Sequence, residues 1–175
     1  MKCFQPVSGW RLGWMVIPGE LIEPITSLQQ NMFINAPTIS QTAAMKCWDE
    51  ETLQELEQHV AKYRKSRELI LSELASIPQL DIAPADGGFY IYVDLGDHNV
   101  ALPHFDSVKM CELLLEEKFV ALTPGVDFED PASGLGNRRF RISYAGGIET
   151  VRLAMEQFHD FFPTWVERVK NAKGE

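Results

Sequence analysis

The chain has 175 residues, 45% hydrophobic and 23% charged, which suffices for one domain with a sizeable core and excludes a disordered tract, a collagen-like fibre or a disulfide miniprotein. Its net charge of −9 disfavours nucleic acid and anionic membrane surfaces as partners, because both reward clustered lysine and arginine. Cys3, Cys47 and Cys111 form no CxxC pair or metal-ligand cluster, and no apolar run nears the roughly 20 residues that span a bilayer.

A cytoplasmic chain with reduced thiols and no bound metal is therefore expected, and an organellar leader upstream of Met1 is compatible with the same composition. Residues 10–17 are apolar and aromatic enough for a buried strand, stopped by the turn pair Pro18-Gly19. Residues 20–30 read as a helix, with Pro24 early enough to be tolerated. Asn35-Ala36-Pro37-Thr38 breaks the pattern, residues 40–48 are helical again, and Asp49 is placed to cap a long helix over 50–76, where Leu53, Leu56, Val60, Tyr63, Ile70 and Leu74 recur at helical spacing.

After Pro78 the period becomes alternating. Residues 89–95 form a strand behind the Gly87-Gly88 turn. Asp106 caps a helix through Glu117, residues 119–122 make a short strand ended by Thr123-Pro124-Gly125, and a loop over 127–137 precedes a strand at 139–144. A last helix from Ile148 carries Val151, Ala154, Met155, Phe158, Phe161 and Phe162 on one face. This order predicts an α/β (α+β) architecture, a small sheet covered by helices, with a composition shift near residue 45 as the candidate boundary between 1–45 and 46–175.

Three stretches carry more than packing. In Ser8-Gly9-Trp10-Arg11-Leu12-Gly13-Trp14 two glycines bracket an arginine in an apolar segment. Arg11 there is either half of a structural ion pair, part of an exposed edge, or an anion site making a forked contact with phosphate or carboxylate oxygens. In Arg138-Arg139-Phe140-Arg141-Ile142-Ser143-Tyr144-Ala145 alternation puts Arg139 and Arg141 on one face of a strand, as an exposed edge or as an anion receptor. Lys2 by chemistry alone is an ordinary exposed lysine.

Gly9-Trp10-Arg11-Leu12-Gly13-Trp14 resembles the segment that, in class I and II (fold-type-I) aminotransferases, follows the lysine forming a Schiff base with pyridoxal 5'-phosphate. The family's arginine in this motif binds the cofactor phosphate, which implies that role for Arg11, and Lys2 is the candidate for the lysine. Gly87-Gly88-Phe89-Tyr90 resembles the start of the first small-domain strand, and Thr123-Pro124-Gly125 with Phe128 resembles the Pro-Gly-x-x-Phe loop near the substrate. Arg141-Ile142-Ser143-Tyr144-Ala145 resembles the strand whose arginine grips the substrate α-carboxylate, implying that role for Arg141. Residues 35–41 are similar to the stretch that lies near the family's dimer interface, implying a homodimeric full-length enzyme.

The resemblance implies an enzyme that exchanges an amino group between an amino acid and a 2-oxo acid. Residues 1–45 would then be a remnant of the large cofactor-binding domain and interface segment, and 46–175 the small domain with the interdomain helix. The family places its acidic partner for the cofactor nitrogen, its stacking ring and most of its phosphate cup before the lysine, so residues 1–175 alone are expected to be inactive. The sequence departs from the pattern in two places: Met1 stands where the family has Ser-x-x-Lys and more chain, with the Lys2-to-Arg11 spacing of nine one longer than the common spacing, and Glu129-Asp130-Pro131 follows Phe128 where glycine is commoner. A non-enzymatic module of a regulator, or a carbon–sulfur lyase on the same scaffold, are the alternative readings.

Overall fold

The structure is a computed structural model and describes residues 9–95 and 105–171. The chain divides into two units, 1–58 and 59–175, the division falling inside one long helix. In the first unit a 3-10 turn over Gly19–Leu21 leads into α1 (Ile22–Met32), where Pro24 sits in the first turn and its missing N–H removes no helical bond. Ile34, at φ 65°, turns the chain toward α2 (Thr38–Ala44), and a further 3-10 turn, Met45–Trp48, precedes α3 (Glu50–Leu74). The Asp49 carbonyl accepts the Leu53 N–H at 3.0 Å, and its carboxylate takes Lys46 Nζ at 2.9 Å.

Residues 10–17, expected as a buried strand, form none. A strand needs a neighbour for its N–H and C=O ladder, and no described strand lies beside this segment. Met15 and Val16 are 55% and 87% exposed. Trp14 packs on Trp48, with ring centroids 6.0 Å apart, and the Trp10 carbonyl accepts the Ser40 hydroxyl at 2.7 Å.

The second unit begins with the rest of α3 and holds β1 (Asp81–Ile82), β2 (Tyr90–Asp94), α4 (Ser107–Lys118), β3 (Thr123–Pro124), β4 (Arg139–Ser143) and α5 (Ile148–Asn171). The strands form an antiparallel sheet in the order β1-β2-β4-β3, with Tyr92 opposite Arg141 and Thr123 opposite Arg141 on the other side. This is the expected small sheet covered by helices. Side chains alternate across each strand, so Ile91, Val93, Phe140 and Ile142 point into one core with Ile70 and Leu74 of α3, Met110 and Leu114 of α4, and Met155 and Phe158 of α5.

Local chemistry sets the boundaries. Gly88, at φ 72°, turns the chain into β2, and its carbonyl accepts the Tyr144 hydroxyl at 3.1 Å. Asp106 caps α4 by accepting the N–H groups of Val108 and Lys109 at 2.9 and 3.0 Å. Phe119 closes α4 in a left-handed conformation at φ 57°, which explains why residues 119–122 form no strand and pairing starts at Thr123. α5 continues through Pro163 because Trp165, Val166 and Val169 bury its last turns.

Candidate functional site

One face of the sheet packs and the other is polar. By alternation and register, Tyr90, Tyr92 and Asp94 of β2, Arg139 and Arg141 of β4, and Thr123 of β3 share the polar face. β4 is an interior strand between β2 and β3, so its arginines do not guard an exposed edge, and that sequence reading is replaced.

The two arginines have different surroundings. Arg139 donates through Nε to Asp94 Oδ2 at 2.7 Å and through Nη1 to Glu129 Oε1 at 2.6 Å. Glu129 Oε1 also accepts the Tyr92 hydroxyl at 2.9 Å, and Arg138 approaches Asp94 Oδ1 at 3.0 Å. These contacts raise the Arg139 pKa further, first through Glu129 and then Asp94, while burial, followed by Glu129, pushes the Tyr92 phenol up to about 12. Arg141 pairs with no carboxylate among the described residues. Its guanidinium carbon lies 4.1 Å from the Tyr90 ring centroid and 4.4 Å from that of Phe128, and Nη2 donates to Thr123 Oγ1 at 3.3 Å. Its Nε is buried without a hydrogen-bond partner, a donor that a planar anion would satisfy.

Paired glycines hold the loop over this face. A Cβ on Gly125 would lie 2.7 Å from Arg139 Cβ, the Arg139 carbonyl and the Gly136 carbonyl, and one on Gly136 would lie 2.7 Å from Val126 Cα. The Ser107 hydroxyl anchors the Gly136 carbonyl at 2.8 Å. Phe128 and Glu129 both donate their N–H to the Gly125 carbonyl, at 2.9 and 3.2 Å, which sets one ring beside Arg141 and one carboxylate on Arg139. Sequence reasoning named Arg141 and Phe128 and quoted Tyr90 and Thr123 within motifs, but gave neither of these two a role and gave Glu129 only as a departure from the family pattern; the same-face alternation of Tyr90, Tyr92 and Asp94 was the available signal. Burial, then Asp127 and Asp106, push the Cys111 thiol up to about 12, so it is no nucleophile at neutral pH.

Arg11 belongs to the first unit. It is exposed, adopts φ 55°, and makes no ion pair with a carboxylate among the described residues. Lys2 lies outside the described residues. No group of residues suited to holding a metal ion occurs among the described residues, and no described helix is long and apolar enough to cross a membrane.

Arg139, then Tyr92, hold the Glu129 carboxyl below its ordinary value of 4.5. The unfolded chain therefore takes up that proton first, so the stability from this contact is present above about pH 4.5 and is lost as pH falls through the depressed value. Urea midpoints measured from pH 7 to pH 3 should fall less steeply below about pH 4.5 for Glu129→Gln than for the unaltered chain. Superimposable acid limbs would refute the pairing.

The family model for aminotransferase class I and II matches residues 6–158. The chain is 35% identical over 155 residues to a (5-formylfuran-3-yl)methyl phosphate transaminase of Methanocaldococcus jannaschii, covering 89% of this chain and 38% of that protein. It is 33% identical over 161 residues to a valine–pyruvate aminotransferase of Mycobacterium tuberculosis, covering 92% and 39%. A crystal structure of an aminotransferase from Mycobacterium tuberculosis superposes with a TM-score of 0.75 at 33% identity, over 91% of this chain and 39% of that one. The chain thus spans about two-fifths of the length of these relatives.

Proposed function

Since this chain belongs to the class I and II aminotransferase family, we propose that the full-length protein transfers an amino group between an amino acid and a 2-oxo acid with pyridoxal 5'-phosphate, as a cytoplasmic homodimer. The observation that carries the reading is Arg141: a guanidinium on the polar sheet face, beside two aromatic rings, with a buried unpartnered Nε and no described carboxylate to neutralise it. Amino acid and 2-oxo acid share an α-carboxylate, and a planar forked donor matches it.

The residues present fit the cofactor by donor chemistry. The exposed Arg11 guanidinium offers its N–H donors, unclaimed by any described carboxylate, to a phosphate, and Lys2 Nζ is the amine that would hold the cofactor covalently. When bound, the cofactor supplies the electron sink for breaking the Cα–H bond. Arg141 fixes the substrate carboxylate and so the direction of that bond, while Tyr90 and Phe128 shield the contact from water. Lys2 Nζ takes and returns the Cα proton. Exposed Met15, Val16, Ile34 and Ile39, at 55%, 87%, 80% and 71%, form an apolar surface that the rest of the full-length chain or a second protomer would cover.

The test is a coupled assay of 2-oxo acid formation by the full-length protein with added pyridoxal 5'-phosphate. Arg141→Ala removes charge-assisted hydrogen bonds and should lower kcat/KM for every amino donor by roughly a hundredfold or more. Unchanged kcat/KM in that variant, or no turnover with any amino acid, would overturn the proposal.

A further inference from the structure

Arg139 and Arg141 stand two residues apart on one face of β4, about 7 Å along the strand, a span that the two ends of a dicarboxylate bridge. Left unneutralised, the pair would receive an α-carboxylate at Arg141 and a second carboxylate at Arg139. Arg139 is already matched inside the protein: Glu129 takes one edge of its guanidinium and Asp94 another. Glu129 is itself held by the Tyr92 hydroxyl and by its own N–H on the Gly125 carbonyl, so a ligand carboxylate arriving there would have to break these contacts or lie against a like charge. What faces outward beside Arg141 is aromatic, since Tyr90 is 40% and Phe128 47% exposed.

We infer that Glu129 is a specificity-determining residue, an internal carboxylate that occupies Arg139 and makes the site select substrates with one carboxylate and an apolar or aromatic side chain over dicarboxylates. This rests on Arg141 as the carboxylate site. The aromatic rings give the substrate side chain an apolar surface, and the paired Arg139 gives it no free cation.

The experiment is a titration of the 175-residue chain with 3-phenylpyruvate and with 2-oxoglutarate at fixed ionic strength, following the Arg141 Nε–Hε resonance by NMR. The unaltered chain should bind 3-phenylpyruvate more tightly. Glu129→Gln leaves Arg139 with one partner fewer and should shift the affinity ratio toward 2-oxoglutarate by roughly tenfold or more. Glu116→Gln, an exposed substitution on α4, removes the same charge elsewhere and should not shift the ratio. Adding Arg139→Met to Glu129→Gln should abolish the gain. An unmoved ratio in Glu129→Gln, or a preference of the unaltered chain for 2-oxoglutarate, overturns the inference and leaves Arg141 as the carboxylate site. If Glu129→Gln disturbs the loop, Tyr92→Phe loosens the same carboxylate, and an unmoved ratio there overturns the inference equally. Retention of both ligands by Arg141→Ala would instead overturn the proposed function.

Discussion

Phe140→Ala should destabilise the second unit by about 3–5 kcal/mol, the range for emptying a buried aromatic site. The ring is fully buried at 0% exposure and packs on Phe158 with centroids 5.9 Å apart. It lies in the interior strand opposite Val93 and Pro124, so no flexible edge can close the void. Urea unfolding of the 175-residue chain followed by circular dichroism measures the effect. Phe128→Ala, removing a ring that is 47% exposed beside Arg141 on the other face of the sheet, should leave the midpoint nearly unmoved. A loss from Phe140→Ala of under about 1 kcal/mol would mean that α5 collapses onto the sheet and that the core is looser than its burial indicates.

Gly125→Ala should destabilise by about 1–3 kcal/mol although it adds a single methyl group. That methyl would lie 2.7 Å from two carbonyl oxygens and from Arg139 Cβ, none of which is the free end of a flexible side chain. The backbone must move, and the atoms that move carry the site: the Gly125 carbonyl holds the N–H groups of Phe128 and Glu129, and Arg139 holds the Glu129 carboxylate. The variant should therefore lose carboxylate affinity at Arg141 as well as stability. Gly87→Ala, at a position with nothing within 4 Å of a Cβ, should stay within about 0.5 kcal/mol. Equal behaviour of the two variants in urea and in carboxylate titration would contradict the role given to the Gly125–Gly136 contact.

Strong local patterns survive in the fold, and patterns that needed a distant partner do not. The alternation across residues 89–95 and 139–144 reappears as β2 and β4, and the apolar stripe beginning at Val151 as the buried face of α5, because each pattern is decided by one core. Residues 119–122 are equally apolar, yet Phe119 is used to close a helix, a choice made by the preceding turn and not by hydrophobicity. Residues 10–17 have strand-like composition and no adjoining strand among the described residues, and composition cannot supply a neighbour.

The candidate site is legible to the same degree. That Arg139 and Arg141 share a face follows from the period of a strand. That one of them is neutralised and the other is not depends on Glu129, ten positions away on a loop whose path is fixed by contact between the backbones of Gly125 and Gly136. No spacing rule encodes such a contact, and the unusual acid after Phe128 is visible in the sequence without its partner.

The sheet has two outer strands, β1 and β3, and each is only two residues long. β3 ends in Pro124, which lacks an N–H, and β1 begins with the charged Asp81. Such margins offer a passing peptide almost no ladder to extend, so this sheet is a poor template for cross-chain β-pairing or amyloid-like growth. With strand pairing disfavoured, side chains on helices and loops offer one surface through which copies of the second unit can meet. Solubility can then be tuned by surface substitutions there without touching the strands that carry the arginines.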